Sequence, residues 1–291
     1  MSELEHVDES GVTGPNYTWP IERIFKDRYE QVDDPVVLEE PLKIVVNGHS
    51  IAVLMRMPGQ EKELAAGFCV SEGYIRQARD ILLIHHCGRG FPSPIELETD
   101  ESPESRNRVE VTVVEDGFLP SESPDVTRLI RSGCGAADVS AMSETLPTVP
   151  DGLTVDASLI LGFGKALRGL QALHQDVGGT HSAALFTATG DAVTQAEDIG
   201  RHNAVDKAAG YCLLRRIPLE DKILVTSGRA SYEIATKAAR LGIPIVATIS
   251  APTLLAVEIA EEHGLTLIGY LRGGRMNVYT HAQRVRNAGS R

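Results

Sequence analysis

The strongest constraint on the fold is the alternation of strand-like and helix-like segments after residue 180. Short apolar runs there alternate with longer runs that have helical periodicity. The pattern predicts strands over 183–187, 192–195, 223–226, 245–249 and 265–270, and helices over 203–214, 232–241 and 254–263. Such alternation favours a layered α/β domain in which helices pack on a partly parallel sheet.

The N-terminal half has a different pattern, with isolated strands and long loops. Asn47-Gly48 separates two alternating apolar runs, which indicates a β-hairpin because both residues tolerate positive φ. Other segments predict a helix over 61–75, strands over 81–86 and 109–113, and a helix over 156–173. We predict an α/β protein, α+β overall, with a flexible acidic tail over 1–18. After this tail we predict a smaller, β-rich N-terminal α+β domain over 19–150. A layered α/β C-terminal domain over 151–291 would come next.

Composition excludes several classes of protein. The 291 residues include 28 Lys and Arg and 40 Asp and Glu, so the net charge is −12. This charge disfavours broad binding to duplex nucleic acid, which needs basic residues to neutralise phosphates. No run of apolar residues is long enough to span a membrane, and the acidic N-terminus lacks the apolar core of a secretory signal. We expect a cytoplasmic protein with no nucleic-acid or membrane partner.

Polar residues follow three of the predicted strands at the point where each strand ends. These loops are Ser227-Gly228-Arg229, Ser250-Ala251-Pro252-Thr253 and Arg272-Gly273-Gly274-Arg275. The carboxyl ends of strands in an open α/β sheet form a ligand-binding crevice, and hydroxyls, glycine amides and arginines bind anions. Any single loop could simply cap a helix, with Ser231 or Thr253 as the N-cap. Three together favour a ligand with phosphate groups, such as a nucleotide or a pterin dinucleotide.

A dense polar cluster, Glu197 to Asn203, precedes the helix predicted over 203–214. One interpretation is substrate contact, or acid–base chemistry by His202. The other is a salt-bridged cap at the start of the helix, and the sequence favours neither. His181 follows Gly178-Gly179-Thr180 at the start of a strand, where a histidine is more often a hydrogen-bonded structural residue.

The four cysteines have no Cys-x-x-Cys or zinc-ligand spacing, so no structural metal is expected. Cys69 and Cys212 lie in apolar helical segments and are predicted core residues. Cys87 follows two histidines, but adjacent strand residues point to opposite faces, which argues against a metal site. Cys134 lies between two glycines, and nearby Arg131 would favour the nucleophilic thiolate. Composition alone leaves an incidental loop thiol as the alternative.

Several long segments spread along the chain match one protein family. They are NG at 47–48, LAAGFCVSEGYI at 64–75, GCG at 133–135, GGTHSAALF at 178–186, EDIGRHNAVDKAAG at 197–210, SGRASYEIATKA at 227–238, SAPTLLAVEIA at 250–260 and GLTLIGYLRGGRMNVYTH at 264–281. At these segments the chain resembles the FdhD family, also called NarQ, of formate dehydrogenase accessory sulfurtransferases. The resemblance extends from about residue 18 to residue 285, and it implies a cytidine-deaminase-like fold for the C-terminal domain.

The resemblance also implies a function. Family members accept sulfur from a cysteine desulfurase as a persulfide on a loop cysteine. They pass it to the molybdenum cofactor, bis(molybdopterin guanine dinucleotide), before that cofactor enters formate dehydrogenase. By resemblance, Cys134 would be the catalytic residue that carries the persulfide. The cofactor would be a substrate of the protein, bound by Tyr270, Leu271, Arg272, Gly273, Gly274 and Arg275. A homodimer is also expected from the resemblance.

One position departs from the family pattern. The family loop is commonly Cys-Gly-x-Cys-Gly, and the second cysteine position here is Ala137. A single persulfide can still accept and donate sulfur, but release of that sulfur through a disulfide would need a second thiol. The alternative function is therefore a non-catalytic chaperone that binds the molybdenum cofactor for formate dehydrogenase. Zinc-dependent deamination is rejected because the chain lacks Cys-x-x-Cys and His181 is followed by Ser182-Ala183, not by the His-x-Glu pattern.

Overall fold

The chain begins with an antiparallel ribbon that the sequence pattern does not predict. The computed structural model describes residues 12–13, 16–87, 107–119, 128–130 and 146–287. In this part of the chain, β1 (Val12–Thr13) pairs with β2 (Asn16–Ile24), and β2 pairs with β3 (Tyr29–Val37). β2 starts inside the predicted tail over 1–18, of which residues 1–11 and 14–15 lie outside the described residues. Pro20, Asp33 and Asp34 are poor strand formers and interrupt the alternation that would indicate this ribbon.

The predicted hairpin at Asn47-Gly48 is confirmed and lies within the N-terminal sheet. Both residues have positive φ, and they join β4 (Glu40–Val46) to β5 (His49–Arg56). Helix α1 (Glu61–Ser71) follows, and then β6 (Ile81–Cys87), β7 (Arg108–Val113) and β8 (Arg128–Ile130). These strands form a five-stranded sheet of order β6-β7-β4-β5-β8.

The C-terminal half forms a six-stranded mixed sheet with helices packed on it. In chain order its elements are β9 (Val155–Asp156), α2 (Ala157–Leu170), α3 (Ala172–Asp176), β10 (His181–Thr187), β11 (Ala192–Asp198), α4 (Arg201–Leu214), β12 (Lys222–Thr226), α5 (Tyr232–Arg240), β13 (Ile245–Thr248), α6 (Leu254–Glu262), β14 (Thr266–Arg272), β15 (Arg275–Val278) and β16 (Val285–Arg286). The sheet order is β11-β10-β12-β13-β14-β15, and β9 pairs separately with β16. Strands β12, β13 and β14 are parallel to one another, and the other neighbours are antiparallel.

Successive residues of this sheet face two different apolar clusters. Ala184 and Phe186 of β10 face α2, where Phe163 stacks on Phe186 with ring centroids 4.4 Å apart. Ala183 and Leu185 face the opposite cluster, which contains residues of α1, α4, α5, α6 and the N-terminal sheet. One core thus joins the N-terminal sheet to the C-terminal sheet, and the domain division near residue 150 stays a prediction.

The predicted fold class is confirmed: the protein is α+β overall, with a layered α/β C-terminal part. Several predicted boundaries are wrong. The helix predicted over 61–75 ends at Ser71, the helix predicted over 156–173 is divided at Gln171, and the strand predicted over 192–195 continues to Asp198. The strand predicted to end at Tyr270 continues as β14 to Arg272, and β15 starts at Arg275. Gly273 and Gly274 both have positive φ and form a two-residue hairpin turn, so this loop does not precede a helix. Within the described residues, no helix combines the length and apolar character needed to cross a membrane.

Candidate functional site

The three polar loops lie side by side along one edge of the six-stranded sheet. Because β12, β13 and β14 are parallel, their carboxyl ends share this edge, and the antiparallel β10 contributes its first residues there. Backbone hydrogen bonds connect the neighbours. Ser227 N donates to Ser182 O at 2.9 Å, and Tyr270 N donates to Ser250 O at 2.9 Å. The loops therefore meet at one edge, as their positions in the sequence predict.

The segment predicted to bind the cofactor forms the β14–β15 turn at this edge. Arg272 and Arg275 are cross-strand partners, and both are exposed. The Arg272 guanidinium carbon lies 5.6 Å from the centroid of the Tyr270 ring. Two exposed guanidinium groups beside the Gly273-Gly274 main chain are suited to binding an anion.

Tyr270 and Leu271 have different roles in this segment. Tyr270 has a φ of 55°, and the pairing of β14 with β15 shifts register between Gly269 and Arg272. Leu271 is only 1% exposed, and its side chain belongs to the apolar cluster that contains Phe163. Leu271 is therefore a core residue with almost no surface that a ligand could contact.

His181 and Ser227 form the β10 end of the edge. Ser227 Oγ accepts a hydrogen bond from Ser182 N at 2.9 Å and lies 3.3 Å from His181 Nδ1. Burial lowers the pKa of His181, and electrostatic repulsion from four nearby basic side chains, Arg201, His174, His202 and Arg229, lowers it further. His181 is thus hydrogen-bonded, as expected for a structural residue, but it also faces a concentration of positive charge.

The polar cluster from Glu197 to Asn203 divides into buried structural groups and half-buried groups at the sheet edge. Asp198 is fully buried, and its carboxylate accepts hydrogen bonds from Gly200 N at 3.0 Å and Asn203 Nδ2 at 2.9 Å. Lys207 Nζ lies 2.7 Å from Asp198 Oδ2, which also accepts from Met57 N at 3.2 Å. This carboxylate is therefore structural and salt-bridged, although no side chain caps the first turn of α4 itself.

Glu197 is also structural, because it caps a short helix. Its carboxylate accepts hydrogen bonds from Leu173 N at 3.0 Å, His174 N at 2.9 Å and Thr180 Oγ1 at 3.0 Å. These bonds hold α3 against the start of β10 and bring His174 to the edge. His174 is not among the residues that the sequence singles out, since no local pattern indicates that a carboxylate more than 20 residues away will position it.

The remaining members of the cluster, Arg201 and His202, lie at the edge. His202 Nε2 lies 3.4 Å from Ser231 Oγ and 3.5 Å from Glu233 Oε2. The hydrogen bond from His202 is the main cause that lowers the pKa of Glu233 to about 2. Glu233 is a second residue that the sequence does not single out, because it lies in the first turn of α5 and only the tertiary fold brings it to His202.

The two cysteines that were predicted to be core residues, Cys69 and Cys212, do lie in the core. Cys69 and Cys212 are fully buried, and burial raises the pKa of both thiols, that of Cys212 to about 11. Neither is suited to act as a thiolate nucleophile. Cys87 is half-buried at the end of β6. Cys134, the predicted catalytic residue, lies outside the described residues together with Ala137.

Comparison with known proteins agrees with the sequence segments quoted above. A model of the FdhD/NarQ family matches residues 37–286. The chain belongs to this family. The match covers the N-terminal sheet, α1 and the whole six-stranded sheet, so the predicted resemblance is confirmed for both halves of the protein.

Curated relatives of this FdhD/NarQ protein are named sulfur carrier protein FdhD. The sulfur carrier protein FdhD of Nocardia farcinica is 41% identical over 268 residues, covering 89% of this chain and 91% of that protein. The sulfur carrier protein FdhD of Sulfolobus acidocaldarius is 38% identical over 262 residues, covering 89% and 95%. A crystal structure from Desulfotalea psychrophila, assigned as a candidate formate dehydrogenase accessory protein, has a TM-score of 0.74 at 26% identity. It covers 94% of this FdhD/NarQ chain and 100% of its own.

Proposed function

We propose that this protein carries sulfur from a cysteine desulfurase to bis(molybdopterin guanine dinucleotide) during maturation of formate dehydrogenase. Membership of the FdhD/NarQ family, with curated relatives named sulfur carrier protein FdhD, is the observation that carries the proposal. Cys134 accepts the sulfur as a persulfide, and the segment from Tyr270 to Arg275 binds the cofactor, which is the substrate of the transfer.

The sulfur reaches Cys134 by exchange between sulfur atoms. The Cys134 thiolate attacks the terminal sulfur of the donor persulfide, a new S–S bond forms on Cys134, and the donor cysteine leaves as its thiolate. No external oxidant is consumed. Burial of Cys69 and Cys212 supports the choice of Cys134, since those thiols are inaccessible and resist ionisation.

The sheet edge supports the binding half of the proposal. Bis(molybdopterin guanine dinucleotide) carries negative charge on its phosphate groups, and Arg272 and Arg275 present two exposed guanidinium groups in one turn. Ser227 and Ser250 lie along the same edge and add hydroxyl groups. The chain thus combines an acidic overall charge with a local anion site.

Mass spectrometry of the full chain tests the proposal. After treatment with a cysteine desulfurase and cysteine, the Cys134 peptide should gain about one sulfur atom, because nearby Arg131 favours the nucleophilic thiolate. Cys134→Ala should abolish the gain and the sulfuration of the cofactor while leaving the fold intact. A gain on Cys69, Cys87 or Cys212, with none on Cys134, would exclude the assignment.

A non-catalytic chaperone is the second candidate, and Ala137 is the residue that favours it. The loop has no second thiol at this position that could release the sulfur by forming a disulfide with Cys134. In a strain lacking its own accessory protein, Cys134→Ala should fail to restore formate dehydrogenase activity if the protein carries sulfur. Restoration of that activity by Cys134→Ala would identify the chaperone.

A further inference from the structure

A groove lies at the end of α4 that is far from the polar loops. It is bounded on one side by the start of β6 with the short turn before it, and on the other by the end of α4 with the loop that leads to β12. Its volume is about 410 Å³, and we call it the α4–β6 groove. Helix α4 begins at Arg201 beside the sheet edge and ends at Leu214, so its 14 residues separate the groove from that edge by about 20 Å.

The walls of the α4–β6 groove are apolar. They contain the side chains of Ile81, Leu213, Leu214 and Ile217. Leu214 is 37% exposed, and Leu82 and Leu83, which follow Ile81 in β6, are 64% and 60% exposed. Exposed apolar side chains gathered around one groove are typical of a protein-binding surface, whereas scattered ones are not.

Two cations without a counter-charge stand at the groove. Arg79 and Arg216 both line it, and both are exposed. Among the described residues, no carboxylate oxygen lies within 4.0 Å of either guanidinium group. Glu220 also lines the groove, but its carboxylate accepts a hydrogen bond from Leu219 N at 3.0 Å. The groove is therefore locally positive on a chain of net charge −12, which favours a partner that presents carboxylates.

The backbone of Arg216 provides an independent observation. Helix α4 ends in a Schellman motif, in which Ile217 N donates to Cys212 O at 2.9 Å and Arg216 N donates to Leu213 O at 3.2 Å. Arg216 has a φ of 55°, at a position where glycine is the usual residue. A side chain there costs stability, and such strained residues cluster at functional sites. An arginine at this position indicates that its side chain is used.

We propose that the α4–β6 groove is the docking surface for the cysteine desulfurase, which presents apolar side chains next to carboxylates. This inference rests on the proposed function, in which the cofactor occupies the sheet edge. Formate dehydrogenase must take the cofactor from that edge, whereas the sulfur donor has no need to contact it. A surface about 20 Å from the edge therefore fits the donor, which can dock there whether or not the cofactor is bound.

Surface plasmon resonance with purified cysteine desulfurase and the full chain tests the docking. Arg79→Glu should weaken the affinity about tenfold, because a carboxylate then faces the carboxylates of the partner. Leu214→Ser should also weaken it about tenfold, because it removes an apolar contact from the interface. In the persulfide assay both variants should raise the KM for the desulfurase and leave kcat unchanged, since neither alters the chemistry at Cys134.

Arg216→Gly separates docking from folding. Glycine adopts a φ of 55° without strain, so this variant should raise the urea concentration at the midpoint of unfolding. It also removes a guanidinium group from the groove, so it should weaken desulfurase binding about tenfold. A residue with a purely structural role would change the unfolding midpoint and leave the affinity as it is.

The matched control is Arg168→Glu, which reverses the charge of an exposed arginine on α2, on the other face of the six-stranded sheet. It should leave the affinity for the desulfurase unchanged. Unchanged affinity in Arg79→Glu or Arg216→Gly would overturn the proposal, and so would an equal loss in Arg168→Glu. If the groove variants bound the desulfurase normally but lost binding to purified formate dehydrogenase, the groove would belong to the recipient and the assignment would be wrong.

The two proposals fail separately. If the groove variants load Cys134 with the KM of wild type, the docking surface is wrong and the carrier mechanism stands. If the persulfide forms on a cysteine other than Cys134 while desulfurase binding still depends on Arg79 and Arg216, the carrier mechanism is wrong and the docking surface stands.

Discussion

Gly67 of α1 packs directly on the main chain of Asp206 in α4. A methyl group at position 67 would lie 1.9 Å from the Asp206 carbonyl oxygen, and one at Gly210 would lie 1.8 Å from the carbonyl oxygen of Glu63. The two helices therefore meet backbone to backbone, with one glycine on each side. This crossing fastens α1, from the N-terminal half, to the helix whose first residue is Arg201.

Alanine at the crossing should destabilise the protein strongly. We expect Gly67→Ala and Gly210→Ala each to lower the free energy of unfolding by at least about 3 kcal/mol, because the helices must separate to admit a methyl group. Urea denaturation measures the effect. Gly162→Ala and Gly169→Ala in α2 are the controls, since their methyl groups meet nothing within 4 Å. These two should be neutral or stabilising by up to about 1 kcal/mol, and a neutral Gly67→Ala would contradict the packing.

The buried ion pair of Lys237 in α5 with Asp206 in α4 should contribute far more to stability than the exposed ion pair between α4 and α1. Lys237 Nζ is buried and lies 2.8 Å from Asp206 Oδ2, 2.7 Å from Glu72 Oε1 and 2.8 Å from Ser71 Oγ. Lys237→Met should cost about 3–5 kcal/mol, because it leaves buried carboxylates unpaired.

The comparison is Arg215→Met, which breaks the exposed pair with Glu63 at 3.3 Å between α4 and α1. This variant should cost less than about 1 kcal/mol. Thermal and urea unfolding of both variants give the two values. Similar losses in the two variants would mean that water reaches the Lys237 site.

Because of Glu233, the free energy of unfolding should depend on pH in the acidic range. Its pKa is lowered to about 2, mainly by the hydrogen bond from His202, against an ordinary value of 4.5. The stabilisation is therefore fully present above about pH 4.5 and is lost as the pH falls toward 2. Glu233→Gln should cost about 1 kcal/mol at pH 7, and the difference from wild type should narrow in acid. Glu258→Gln, on the exposed face of α6, is the control for removal of a negative charge. A difference in unfolding free energy between wild type and Glu233→Gln that stays the same from pH 7 to pH 2 would contradict the prediction.

Because of His181, the free energy of unfolding should decrease as the pH falls below neutral. Burial and the charges of Arg201, His174, His202 and Arg229 lower its pKa below 6.5, so the unfolded chain takes up a proton before the folded protein does. Stability is thus lost as the pH falls through 6.5 toward the pKa of the folded state. His181→Asn should retain more of its stability between pH 7.5 and pH 5.5 than wild type in thermal unfolding. His49→Asn in the N-terminal sheet is the control. If it retained as much stability between pH 7.5 and pH 5.5 as His181→Asn, the effect would come from removing any histidine and not from the surroundings of His181.

Local patterns predicted most of the secondary structure because their physical causes are local. Asn47-Gly48 makes a hairpin from its own backbone freedom, and the alternating runs after residue 180 form the strands and helices near their predicted positions. The exceptions lie where the local signal was misleading. Proline and aspartate hide the ribbon β2–β3, and Gly273-Gly274 indicated a loop where it makes a hairpin turn.

The sequence alone thus determined most of the elements of the C-terminal half and the polar loops at its strand ends, and its assignment of Cys134 stays a prediction. It could not determine which members of the Glu197–Asn203 cluster are structural. Asp198 and Met57, which are hydrogen-bonded, lie 141 positions apart in the chain. Tertiary packing decided that Asp198 is buried while Arg201 faces the sheet edge, because burial forces a carboxylate to find partners wherever the fold brings them.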